Sequence, residues 1–165
     1  MELNELIKKI EQWAIDRELD KKATVEAQSI KTAEEMAELI IGISKDNLEV
    51  IKDSIGDVFV TLVIGNMIDD NINIEENCKG LKEKVEKIIE HDKKLEILSL
   101  VGVAEEVLKY GYYHHAIYYG VGGIMGIAKV YDLEFTDCIE SAYNEIKDRK
   151  GITKNGQFIK EEDLN

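Results

Sequence analysis

Apolar residues recur every three or four positions along most of the chain, the spacing that lines one side of an α-helix. Over residues 3–17, Leu6, Ile10 and Trp13 mark such a side. Residues 19–23 read as a connection, and Thr24 offers a helix N-cap oxygen with Glu26 near the first turn. A second helix is predicted over 25–44. A third follows the Asp46-Asn47 cap and runs to 67, with Ile51, Ile55, Val58 and Leu62 on one face. Residues 69–73 form a polar break. A charged amphipathic helix is predicted over 75–91, with Leu81, Val85 and Ile88 turned inward. Two more helices are predicted over 95–110 and 114–131, and a last one over 135–149, stopped by Gly151. Residues 151–165 are a polar tail with a short β-hairpin expected around Asn155-Gly156. The expected fold is therefore all-α, a multi-helix bundle in one domain over 1–165.

Two internal features qualify that picture. Gly120, Gly122, Gly123 and Gly126 fall inside one predicted helix, where each costs about 1 kcal/mol against alanine. Their clustering predicts close helix–helix approach. No strand precedes them and their spacing is not that of a dinucleotide-binding loop. In addition, Ala33-Glu34-Glu35-Met36 is echoed by Ala104-Glu105-Glu106-Val107, and Ile55-Gly56-Asp57-Val58 by Val121-Gly122-Gly123-Ile124. The two intervals differ in length, Lys109 stands in the place of Glu38, and Gly123 in that of Asp57. Either a degenerate repeat has kept its packing and lost its acids, or two amphipathic helices coincide.

Composition narrows the function. The chain has no proline, which permits long helices. Its net charge of -13 repels nucleic-acid backbones, so a phosphate-tracking nucleic-acid binder is excluded as an expectation. Cys78 and Cys138 form no CxxC pair and are read as small buried hydrophobes. No basic region followed by an apolar stretch opens the sequence, and the most apolar run, 58–64, is too short for a bilayer. These features predict a cytoplasmic protein with no membrane partner. His114-His115 lacks a second pair of ligands for zinc, and the tyrosines from Tyr110 to Tyr119 are read as an interface or core layer.

The informative stretch is 28–57. Residues three and four apart share a helix face, so Gln28, Lys31, Glu35 and Glu38 form one polar stripe while Met36, Leu39 and Ile40 serve the core. On the next helix Asp53 and Asp57 share a face, and Asp57 lies in the apolar context Ile55-Gly56-Asp57-Val58-Phe59-Val60. A buried carboxylate requires a counter-charge. If the two helices pack antiparallel, Glu35, Glu38, Asp53 and Asp57 converge, and a divalent cation is expected to hold them. Oxygen ligands alone select Mg²⁺, Mn²⁺ or Ca²⁺ over zinc. The competing reading is a set of salt bridges on a solvated face.

At these residues the sequence resembles the all-α nucleoside triphosphate pyrophosphohydrolases, which include MazG-like proteins and dimeric dUTPases. Glu34-Glu35-Met36-Ala37-Glu38 matches their EExxE motif in full. Their following ExxD motif is matched in part: Asp57 takes the Asp position, whereas Ser54 stands where Glu is usual, and Asp53 is the candidate substitute. Trp13-Ala14-Ile15-Asp16-Arg17, the Gln28/Lys31 pair, the segment from Ala142 to Gly151 and Asn155-Gly156-Gln157-Phe158 are similar to further stretches of the MazG-like pattern. The resemblance covers 1–70 and 130–165 and leaves 74–129 as an extra helical insertion.

The resemblance implies Mg²⁺-dependent hydrolysis of a nucleoside triphosphate to the monophosphate and pyrophosphate, with Mn²⁺ able to substitute, in a homodimer or homotetramer. It implies Glu35, Glu38 and Asp57 as metal ligands, with Asp53 and Glu34 as further ligands or bases for the attacking water. Lys31, Lys147, Arg149 and Lys150 are the candidates for neutralising phosphate oxygens, and Gln28 and Asn144 for hydrogen-bonding substrate. Trp13 could stack on a base, though core packing is the favoured reading. The alternative function is a nucleotide-binding or protein-interaction module that keeps the fold with little or no turnover.

Overall fold

The computed structural model describes residues 1–69, 72–87 and 91–164. It is an all-α, multi-helix bundle with a small terminal hairpin. The helices are α1 (Leu3–Asp16), α2 (Leu19–Lys22), α3 (Val25–Ser44), α4 (Leu48–Asp69), α5 (Ile74–Val85), α6 (Lys93–Tyr110), α7 (His114–Val130) and α8 (Phe135–Ile146). The strands β1 (Gly151–Lys154) and β2 (Gln157–Lys160) follow, then a single 3-10 turn, Glu161–Asp163.

The periodic pattern placed most helices within a residue or two of their observed bounds. Three expectations are corrected, the first being that the helix expected over 75–91 ends at Val85, with Glu86 and Lys87 already in a turn. Residues 19–23 are not a plain connection, because Glu18 takes a left-handed conformation (φ 59°) and starts the short α2, which buries Leu19. The last helix ends at Ile146, three residues before the expected stop. The expectation for Ile88, and part of the polar break at 69–73, lie outside the described residues. Thr24 is the N-cap foreseen for α3, its hydroxyl accepting from the Ala27 amide at 3.2 Å.

One core runs through the bundle, and α4 is its axis. Isoleucine, valine, leucine and phenylalanine are buried all round this helix from Val58 to Ile64, whereas Lys52 and Asp53 nearer its start are exposed. Such a helix must be covered on every side. It is packed against α3, α8, α7, α1 and α2. The helices α3 and α4 form an antiparallel hairpin, α6 and α7 form another, and the two pack with α3 on α6 and α4 on α7. Asp46 pairs with Lys93 at one end of the α3–α6 contact and Val25 meets Gly111 at the other, so these helices too run antiparallel. The segment 74–129 therefore completes the same core as the acidic hairpin. The glycines of α7 make room for side chains rather than bare backbone: a Cβ at Gly120 would lie 3.1 Å from Leu62, and one at Gly122 would lie 3.0 Å from Leu81.

At the centre Tyr112 is fully buried, its ring lying flat against Gly65 of α4 and its hydroxyl 2.7 Å from Thr32 Oγ1 of α3. The other tyrosines near the histidines form a surface array of stacked and edge-on rings, including His114–Tyr118 and Tyr113–His115. Both cysteines are free and buried, as expected, and burial pushes the Cys78 thiol up to about 12.

The hairpin forms around Asn155 (φ 54°) and Gly156 (φ 84°), two consecutive left-handed residues of the kind that suit a two-residue turn. It folds back on the start of the chain. The Thr24 amide donates to the Gly156 carbonyl at 3.0 Å, the Thr153 hydroxyl donates to the Arg17 carbonyl at 2.6 Å, and Phe158 stands edge-on to Trp13. Among the described residues, no helix is long and apolar enough to cross a membrane.

Candidate functional site

The acidic stripe of α3 does not stay on one surface. Gln28 is buried and its amide donates to the Thr61 carbonyl of α4 at 3.1 Å, so it ties the hairpin together and is not placed to meet substrate. The next turns open outward. Lys31 is exposed and reaches both Glu35 Oε1 at 2.6 Å and Glu34 Oε2 at 3.3 Å. Burial pulls the Lys31 ammonium down, but the hydrogen bond and charge of Glu35, then those of Glu34, outweigh it and hold its pKa above the usual value. Glu35 is only 8% exposed, whereas Glu34 and Glu38 are exposed. Glu38 has no ion pair or hydrogen bond among the described residues.

On α4, Asp57 is half-buried where the helix turns from core to surface, and Asp53 lies exposed one turn earlier. Burial first, and then the negative charges of Glu35, Asp53 and Glu145, push the Asp57 carboxyl up to about 7, with Arg149 pulling the other way. The antiparallel hairpin thus brings Glu35, Asp53 and Asp57 within electrostatic reach, as the spacing predicts. Glu38 follows Glu35 by about one turn of α3 and is exposed. Ser54, at the position where the resembled motif has Glu, is 3% exposed and lies inside the bundle.

A third helix carries a further acid, Glu145, whose charge bears on Asp57 and which the motif search did not single out. Cys138, Ala142, Glu145 and Arg149 are spaced to share one face of α8 and its C-terminal turn. Cys138 and Ala142 lie against Gly56 of α4, closely enough that an added Cβ there would strike the Cys138 carbonyl and the Ala142 methyl. Phe59 meets Phe135 edge-on at 5.4 Å, which sets the two helices antiparallel and carries Glu145 and Arg149 toward Asp53 and Asp57. The spacing from Cys138 to Arg149 was visible in the sequence. What it faced was not.

Among the other candidates, Trp13 is in the core. It is 7% exposed, its indole N–H donates to the Ile146 carbonyl at 2.7 Å, and the Arg17 guanidinium covers its ring at 4.4 Å, so no face is left for a base. Arg17 also donates to the Arg149 carbonyl at 3.0 Å. Asn144 and Lys147 are exposed and bonded to one another at 3.0 Å. Arg149 and Lys150 line a groove of about 580 Å³ with Glu145, Lys160 and Glu162. The second acidic pair is spent on local contacts, Glu105 with Lys109, and Glu106 with Tyr113 and His115 at 2.6 and 2.7 Å.

The groups that bear on Asp57, namely Glu35, Asp53 and Glu145, are all carboxylates, the ligand type that suits a hard divalent cation. Their mutual repulsion, seen at Asp57, is the chemistry such an ion relieves. The arrangement is not a closed cage: among the described residues, no three carboxylate, imidazole or thiol groups are placed to hold a metal ion as they stand. Lys31 holds the Glu35 carboxylate instead.

No family model and no solved structure matches the chain. The chain is 54% identical over 63 residues to an uncharacterized 18.2 kDa protein of the rep-hol intergenic region of Haemophilus phage HP1 (strain HP1c1), a match that takes in 38% of this chain and 39% of that protein.

Proposed function

We propose that this protein is a Mg²⁺-dependent nucleoside triphosphate pyrophosphohydrolase, releasing pyrophosphate and a nucleoside monophosphate. The observation that carries the reading is the meeting of Glu35, Asp53 and Asp57 across the α3–α4 hairpin, with Asp57 pushed up to about 7 by burial and by the neighbouring carboxylates despite Arg149. A structural ion-pair network would neutralise such a group, whereas a cation site leaves it to be neutralised by its ligand.

Glu35 and Asp57 are the inner carboxylates on this reading, with Asp53 beside them and Glu38 on the exposed rim of α3. When bound, Mg²⁺ supplies charge neutralisation for the triphosphate and lowers the pKa of a coordinated water. Glu34 is exposed next to Lys31, where it can take a proton from the attacking water. Lys31, which holds Glu35 at 2.6 Å, would be left to meet a phosphate oxygen if Glu35 held the cation. Arg149 and Lys150, on the groove beyond Asp57, are the other cations available to the departing pyrophosphate. Gln28 and Trp13 take no part in substrate contact. The reaction asks the protein for position and charge rather than for a nucleophile, and nothing more than these groups is required.

The resemblance also carries the proposal of a homodimer or homotetramer, and the free cysteines that of a cytoplasmic setting. A second functional reading, a nucleotide-binding or protein-interaction module without turnover, is favoured by Ser54 and by the absence of a closed three-ligand cluster among the described residues. Pyrophosphate release from a panel of ribo- and deoxyribonucleoside triphosphates with Mg²⁺ separates the two. Turnover by the wild type that falls at least about 100-fold in Glu38→Gln and Glu35→Gln supports the enzyme. Cation binding with no release from any nucleotide supports the module.

A further inference from the structure

We propose that the outward face of α6 is the surface through which two copies of this chain meet, antiparallel, about a two-fold axis beside Leu98 and Val101. The inference goes beyond the hydrolase reading and stands without it. The inner face of α6 is spent on the core, with Leu100, Val103 and Val107 buried. Its outer face is apolar where a solvated helix is polar. Leu95, Leu98, Val101 and Leu108 are between 49% and 62% exposed. Ile30 of α3, itself half exposed, lines one cleft of about 540 Å³ with Leu108 and widens the patch. Single exposed apolar residues call for no explanation, whereas a contiguous patch marks a contact surface.

The pattern on this face names its occupant. Lys94, Leu98, Val101, Glu105 and Leu108 are spaced by four, three, four and three, the seam of a two-helix coiled coil. In an antiparallel pair each Leu98 meets the partner's Val101, and each Lys94 meets the partner's Glu105. A parallel pair would oppose Lys94 to Lys94 and Glu105 to Glu105, so the charges select the antiparallel arrangement. On one flank the same register sets Leu95 against the partner's Gly102, a large side chain against bare backbone. An added Cβ at Gly102 would meet nothing within 4 Å, so no packing inside the chain accounts for this glycine. In mid-helix it costs about 1 kcal/mol against alanine. A second copy laid along α6 accounts for it. Lys94 has no side-chain partner among the described residues, and Glu105 holds Lys109 on the next turn of its own helix. Lys94 and Lys109 outnumber Glu105 here, so the face itself does not carry the repulsion that a net charge of -13 sets between copies. A seam that complements itself fits a second copy, because a two-fold contact uses one patch twice.

The test is sedimentation velocity of the full chain from about 1 to about 100 µM, with circular dichroism to show that each variant is folded. The wild type is expected to sediment as a dimer toward the upper end of that range. Leu98→Glu lies on the surface and leaves the core untouched. It is expected to raise the dimer dissociation constant at least about 100-fold, since the contact counts the change twice. Ile15→Glu, which puts the same charge on an exposed apolar position of α1, is expected to change it less than about twofold. Lys94→Glu and Glu105→Lys are each expected to weaken the dimer about fivefold or more. Both together in one chain should recover most of that loss, because each ion pair re-forms with its signs exchanged. A wild type that stays monomeric at about 100 µM overturns the proposal and leaves the face to another protein. A dimer unaffected by Leu98→Glu places the contact elsewhere and also overturns it. A double charge variant no tighter than the single ones overturns the antiparallel register. A tetramer that falls to dimers in Leu98→Glu supports this surface as one of two. None of these results bears on pyrophosphate release, which is measured separately.

Discussion

Asp57 is where the physics of single residues is most exposed. Its folded pKa of about 7 stands above the ordinary value of 3.8, so the folded state holds this proton more tightly than the unfolded chain. The contribution to stability is then complete below about pH 4, falls as pH rises toward 7, and stays lost above it. Asp57→Asn is expected to raise metal-free stability at pH 8 by about 2–4 kcal/mol and to change it little at pH 4, as measured by urea unfolding at the two values. The same substitution should cancel any stabilisation of the wild type by Mg²⁺. Tyr112 offers the opposite case, a polar atom satisfied in the core. Tyr112→Phe forfeits the bond to Thr32 and should cost about 1 kcal/mol with no effect on cation binding.

Among elements, the decisive pair is α4 and α8. Gly56 is the place where α8 lies on α4 without a side chain between them. Gly56→Ala is expected to cost about 2–3 kcal/mol, since the new methyl meets the Cys138 carbonyl and must push the helix away. It should also alter any Mg²⁺ affinity of the neighbouring carboxylates, because Glu145 and Arg149, whose charges bear on Asp57, ride on the displaced helix. The two effects appearing together, by urea unfolding and calorimetry, would tie the site to this contact. A loss of stability alone would dissociate them. Helix periodicity made α3, α4 and α8 legible in the sequence, and the motif placed Glu35 and Asp57 on facing turns. The burial of Gln28 was not legible, because its stripe position is shared by exposed Lys31 and Glu38, and only the course of α4 decides which of them is covered. Glu145 was not legible for a related reason. A lone acid on an amphipathic helix carries no signal until its neighbouring helix is known. The short α2 escaped because four residues are too few to show a period.

For the molecule as a whole, the two hairpins α3–α4 and α6–α7 share a core, and the ends of the chain are fastened to each other against it. The hairpin of β1 and β2 sits on the junction of α1, α2 and α3 through Thr24, Arg17 and Trp13. Removing residues 151–165 is therefore expected to lower stability by at least about 2 kcal/mol, read as a fall in the thermal midpoint, even though that tail is polar. The echo between the two hairpins is one of packing: both are helical pairs around one core, but Glu105 and Glu106 are tied to Lys109, Tyr113 and His115. That outcome was written in the sequence at Lys109 and Gly123, where the acids of the first copy have no counterpart.

The seat of Trp13 has a practical consequence. It is the sole tryptophan of the chain, roofed by a guanidinium and hydrogen-bonded to the end of α8. Its fluorescence therefore reports on one joint rather than on the average of many. A shift of emission to the red, followed as cation or nucleotide is added, would read the loosening of α8 in an unlabelled protein, and a constant spectrum would mean that the helix stays seated while the side chains around Asp57 rearrange.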